Sequence, residues 1–166
     1  ASKCYAVKAQ QSRYVVWNKR LIYTYLAQHE QEFLSEIITT QLKMMGRIPY
    51  VRIHSSGDFF SSDYVRMWET IAKHFPDKKF YFYTKMADFG NIGNSLQSLS
   101  SLSNVNMVNS ILPDKGLNFG SEEYIQEKSE EFNIPICPYK RTAFTYKCGE
   151  NCTLCMYEPY VLFKQH

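Results

Sequence analysis

The chain has 166 residues, of which 45% are apolar and 21% charged, with a formal net charge of +3. That is enough apolar side chain for one domain with a hydrophobic core, and it excludes a disordered polypeptide. Lys and Arg are scattered, and the densest spots, Lys78–Lys79 and Lys140–Arg141, are short, so a primarily electrostatic nucleic-acid function is not expected. No apolar run approaches the ~20 residues that span a bilayer, and no secretory signal precedes the first element, so a cytoplasmic protein without a membrane segment is expected. The chain starts Ala-Ser-Lys-Cys without an initiator Met, which predicts either processing or a segment before Ala1.

From Arg13 to Met45 apolar residues recur at spacings of three and four, which predicts two helices or one bent helix ending at Gly46. Ile48–Ile53 reads as a buried strand closed by Gly57. Ser61 or Ser62 can cap the next helix, with Asp63 in its first turn, running to Phe75. Pro76-Asp77 is a turn, and Lys79–Thr84 is a second strand. Residues 87–104 read as a loop plus a weak helix carrying Leu96, Leu99 and Leu102. Val105–Leu112 is a third strand, Ser121 caps a helix to Phe132, and Ile134–Ile136 is a short fourth strand. Strand–helix–strand order at this spacing implies an α/β fold with a mostly parallel sheet, either a partial barrel or a small open sheet. Residues 1–136 form the α/β part, and residues 137–166 form a Cys-rich metal-binding segment packed on it within one structural domain.

Four of the five cysteines lie in that segment, as Cys137-x10-Cys148-x3-Cys152-x2-Cys155. Such clustering favours a metal in a reducing compartment over disulfides. Four thiolates suit tetrahedral zinc and equally a four-iron–four-sulfur (4Fe-4S) cluster. Zinc knuckles usually use two Cys-x2-Cys pairs, so the triplet leans towards iron–sulfur. With Cys137 as fourth ligand no iron is left open, and S-adenosylmethionine could bind there only by displacing a ligand. Cys4, alone, reads as a buried thiol.

Polar residues gather where strands should end. Arg52-Ile-His54-Ser55-Ser56-Gly57-Asp58 follows the first strand, Lys85 the second, and Asn109 and Ser110 close the third. Ligands of parallel α/β sheets sit beyond that edge. His54, Ser56 and Asp58 share one parity if the strand stays extended. His54, Asp58 and Lys85 are therefore candidate catalytic residues, and Ser55, Ser56, Gly57 and Asn109 candidate cofactor-binding residues. The bland alternative is turn chemistry for Asp58 and a satisfied core imidazole for His54. No Gly-rich phosphate loop and no nucleophile elbow is present.

Cys4-Tyr5-Ala6, the block Val51–Phe60 (Val-Arg-Ile-His-Ser-Ser-Gly-Asp-Phe-Phe), Phe80–Lys85, the C-terminal cysteines and Val161–His166 together resemble the phage "gene product 88" family, found in phages and mobile elements. The resemblance spans nearly the whole chain and places His54, Asp58, Lys85, His166 and the cysteines at characteristic positions. The family brings no established activity. Its pattern is similar to radical S-adenosylmethionine barrels, and in that analogy Ser55–Asp58 would be the turn that holds the methionyl amine. Members carry further cysteines upstream of Cys-Tyr-Ala, where this sequence has only Cys4. Two functions are therefore expected: an iron–sulfur protein that transfers electrons or acts as a radical-type enzyme on a small molecule, or a zinc-stapled module binding a partner protein or single-stranded nucleic acid.

Overall fold

The structure, a computed structural model, describes residues 14–55, 57–138 and 152–164. Helices α1 (Tyr14–His29) and α2 (Gln31–Met44) are separated by Glu30, whose backbone (φ −136°, ψ 53°) leaves the helical region. The predicted helical tract is thus two helices. Strand β1 (Tyr50–Arg52), helix α3 (Ser62–His74), strand β2 (Lys79–Thr84), helix α4 (Gly90–Ser100) and strand β3 (Val105–Asn109) follow. Ser61, not Ser62, caps α3: its hydroxyl accepts from the Tyr64 amide at 3.2 Å.

The sheet has the order β1-β2-β3, all parallel, with Tyr50 beside Lys79 and Phe80 beside Val105. It is open, and no barrel closes among the described residues. The side-chain period of two explains its faces. Phe80 and Phe82 of β2 are fully buried on one face, against Val65, Trp68 and Ile71 of α3 and Leu96 and Leu99 of α4. Leu34 and Leu42 of α2 extend the same core. Tyr81 and Val108 point to the other face, where the C-terminal segment covers them with Cys155, Met156 and Val161. Asn106 ties that cover down, donating to the carbonyls of Cys155 and Glu158 at 3.1 and 2.8 Å.

Lys78 is a buried cation. Its ammonium donates to the carbonyls of Met45, Gly46 and Ile48 at 3.0–3.4 Å, the chain just past the end of α2. Those carbonyls have no helical partner, so the lysine satisfies them and fixes the approach to β1.

Strand β4 (Phe119–Gly120), helix α5 (Glu122–Phe132), the short helix α6 (Leu154–Tyr157) and strand β5 (Phe163–Lys164) complete the described elements. Ser121 caps α5 as predicted, accepting from the Tyr124 amide at 3.3 Å. Among the described residues the predicted fourth strand is reduced to one bridge, Ile136 to Leu162, since Pro135 has no amide hydrogen to donate to a ladder. β4 and β5 instead form a second, two-stranded parallel sheet. The predicted strands around residues 50 and 110 are also shorter, ending at Arg52 and Asn109.

Helix α1 buries only Ala27, while Trp17, Leu21, Ile22 and Tyr25 are exposed. Its apolar periodicity marks a helix without marking a core. No helix among the described residues is long and apolar enough to cross a membrane.

Candidate functional site

The carboxyl edge of the sheet divides in two. After β1 the chain leaves the sheet at once, because His54 takes a left-handed backbone (φ 69°) unusual for a side chain with a Cβ. The extended backbone on which His54 and Asp58 would share one parity is therefore lost two residues past Arg52. Gly57 (φ 86°) completes the turn. Ser55 is exposed, and Ser56 lies outside the described residues.

His54 swings inward. Its ring stacks on Tyr64, and Phe59 and Trp68 meet it edge-on. Nε2 lies 3.0 Å from the Tyr64 hydroxyl, whereas Nδ1 is buried and meets no partner among the described residues. Burial holds the imidazole well below its ordinary value of 6.5, to about 4; Asp58 opposes this weakly and Arg52 adds to it. At neutral pH His54 is thus an uncharged member of an aromatic cluster. Burial likewise pushes the Tyr64 phenol up, against a smaller opposing pull from the Trp68 indole. That indole stands by the phenol, yet its Nε1 makes no hydrogen bond of good geometry.

Asp58 is committed to structure. Oδ1 accepts from the Phe59 amide and from the Thr84 hydroxyl, both at 2.8 Å, and Oδ2 accepts from the Lys85 amide at 2.8 Å. The buried Thr84 hydroxyl in turn accepts from the Met86 amide at 2.9 Å. One carboxylate thereby clamps the β1 turn to the end of β2.

Beyond β2 and β3 the edge is open. A cavity of about 210 Å3 lies there, lined by Lys85, Asn109, Gln97, Tyr160, Asp88 and Lys115 among others. Of the strand-end candidates, the structure brings Lys85 and Asn109 to this cavity, and His54 and Ser55 are not among its lining residues. Gln97, Lys115 and Tyr160 escaped the sequence reading. Pro113-Asp114-Lys115-Gly116 is a readable turn signal for Lys115, but nothing local brings Tyr160 across from the far end of the chain.

Cys137 and Cys155 sit elsewhere, on the sheet face turned away from α3 and α4. Cys155 is buried, and Cys137 packs on the same cluster as Cys155, Tyr81 and Val108. Cys137 is placed by its amide, which donates to the Leu162 carbonyl at 2.8 Å. Cys152 precedes the turn into α6 and is half-buried. Cys148, Cys4 and His166 lie outside the described residues. No three His, Cys, Asp or Glu side chains gather as a metal site among the described residues. Tyr83 borders the cluster; burial first, then the neighbouring Cys155 thiol, drives its phenol far up, and the Arg52 guanidinium lies 4.7 Å from its ring centre.

Fold and site define a small parallel α/β protein with an open strand-end cleft and a cysteine-bearing segment laid over the opposite sheet face. The Gene product 88 family model matches residues 1–142, and the chain belongs to that family. No curated protein and no solved structure matches the chain.

Proposed function

We propose that the protein is a metal–thiolate protein in which Cys137, Cys148, Cys152 and Cys155 hold one centre, a four-iron–four-sulfur cluster ahead of zinc. The observation that carries this is the position of Cys137 and Cys155 on one apolar cluster, although they are eighteen residues apart (155 minus 137). Cys152 lies three residues before Cys155 in the sequence, and the spacing to Cys148 suits a knuckle relieved by Gly149. The donor set and its apolar surroundings fit a soft thiolate-bound centre. When bound, an iron–sulfur cluster supplies one-electron transfer. The protein's own share is to fix the thiols: the Cys137 amide on the Leu162 carbonyl, and the Cys155 carbonyl on Asn106.

This reading does not call on S-adenosylmethionine. The Ser55–Asp58 turn that the radical-enzyme analogy assigns to a methionyl amine is occupied by Asp58 bonding to residues 59, 84 and 85.

Elemental analysis and visible absorption of anaerobically purified protein test the proposal. Iron with acid-labile sulfide and a broad visible band are expected, lost in Cys137→Ser and Cys155→Ser and kept in Cys4→Ser. A colourless protein with one zinc per chain, lost in the same variants, would select the zinc-stapled binding module. Metal-free protein, or metal retained by both cluster variants, would overturn the proposal.

A further inference from the structure

We propose that the cleft at the carboxyl ends of β2 and β3 is a binding site for a small phosphate monoester, separate from the cysteine centre on the opposite sheet face. Besides Thr84, whose hydroxyl is given to Asp58, the cleft presents five donor-bearing side chains: two ammonium groups (Lys85 and Lys115), two carboxamides (Asn109 and Gln97) and one phenol (Tyr160). Among the described residues, the side chains of Lys85, Asn109, Gln97 and Tyr160 make no hydrogen bond to the protein. Their backbones, in contrast, are held. The Lys85 amide is fixed by Asp58 at 2.8 Å, and the Asn109 amide by the Pro159 carbonyl at 2.8 Å. Lys115 sits in a left-handed conformation (φ 68°), with its amide on the Leu112 carbonyl and the next amide, of Gly116, on the Asp114 carboxylate. The backbones that present these polar ends are thus fixed, while the side-chain ends are left to meet a ligand.

The donor chemistry selects the ligand. Among the described residues no arginine lines the cleft, and its cations are the compact point charges of two lysines. Point charges and single amide and hydroxyl donors, arriving from β2, β3, α4 and two loops, suit a tetrahedral group that accepts bonds in several directions. Size narrows it further. At about 210 Å3 the cavity is below the range of roughly 300–1,000 Å3 typical of drug-sized ligands, so a phosphate on a few carbons fits and a nucleotide does not. The carboxylate of Asp88 also lines the cleft, 3.3 Å from the Lys115 ammonium. It competes with an incoming anion for that cation.

Calorimetric titration of the full chain at low, fixed salt tests this with glycerol phosphate, inorganic phosphate and succinate as probes. Glycerol phosphate is expected to bind, and the double variant Lys85→Met/Lys115→Met to lose roughly tenfold or more. The paired control Lys19→Met/Lys43→Met, on α1 and α2, should bind as the parent does. Asp88→Asn should tighten binding several-fold by releasing Lys115. Succinate, whose charge is split between two separate planar carboxylates, should bind more weakly than glycerol phosphate. Because both cleft lysines are exposed, the double variant should keep the parent's melting temperature, and single Lys85→Met supplies the same readout on an independent protein. Equal binding by parent and Lys85→Met, equal loss in the α1/α2 control, or succinate bound as tightly as glycerol phosphate would overturn the assignment. Loss of glycerol phosphate binding in Cys155→Ser without loss of fold would overturn the separation of the two sites.

Discussion

The β1 end and the β2–β3 end of the sheet carry equally polar sequences, yet one is closed and the other open. At the β1 end every prominent group turns back on the protein: His54 stacks among Phe59, Tyr64 and Trp68, and Asp58 accepts three hydrogen bonds. At the β2–β3 end Lys85 and Asn109 have bonded backbones and uncommitted side chains beside a cavity. The difference teaches that polarity at a strand end says little until each hydrogen-bonding group is traced to its partner. A carboxylate that holds three donors supports the site; a lysine with none can meet a ligand.

The contrast makes graded predictions, measured by thermal and urea unfolding. The largest effect is expected from Asp58→Ala. It removes three charge-assisted bonds and takes from the buried Thr84 hydroxyl its acceptor, for a loss of about 3–4 kcal/mol and roughly 6–16 °C in Tm. A stable Asp58→Ala variant would break the view of Asp58 as a clamp and return it to the list of reactive groups.

Next comes the pH dependence carried by His54. Its folded pKa, about 4, lies below its ordinary 6.5, so the unfolded chain binds the proton more readily. Stability contributed by keeping the ring neutral is complete above pH 6.5, falls as pH drops from 6.5 towards 4, and levels off below. The expected loss across that window is on the order of 2–3 kcal/mol. His54→Phe should flatten that part of the profile, the neighbouring Asp58 and Arg52 being unchanged. An unaltered profile would show that the ring is solvated.

Tyr64→Phe removes the hydroxyl beside His54 Nε2 while keeping the ring stack, so a smaller loss of about 1 kcal/mol is expected. Smallest of all are Lys85→Ala and Asn109→Ala, which should change stability by no more than about 0.5 kcal/mol because neither side chain bonds to the protein. A large destabilisation at either position would erase the distinction between the closed and open ends.

Much of the fold was legible because local chemistry writes it. Ser121 capping α5, the alternating Phe80, Tyr81, Phe82 and Tyr83, and the turn at Pro76-Asp77 need only neighbours along the chain. The candidate site was legible in part. Lys85 and Asn109 were read as residues at the ends of neighbouring strands, which strand order in a parallel sheet suffices for, and both line the cavity there. His54 and Asp58 were grouped with them on the assumption of an extended backbone, and one left-handed residue cancelled it. In the sequence Lys78 is one of two adjacent lysines in a short basic spot. Its burial under three carbonyls depends on where α2 ends, more than thirty residues earlier.

The sequence by itself determined the class of protein: an α/β domain with parallel strands, a clustered set of cysteines and membership of the Gene product 88 family. Periodicity, caps and spacing are short-range properties, and they survive into the fold. Only the tertiary structure decided which polar groups are consumed and which remain available. It turned His54 into the core, gave Asp58 to Thr84 and Lys85, and carried Tyr160 and Lys115 to the rim of the cleft beside Lys85. The physical reason is that hydrogen-bond commitment and burial depend on contacts between residues tens of positions apart, which no local pattern encodes.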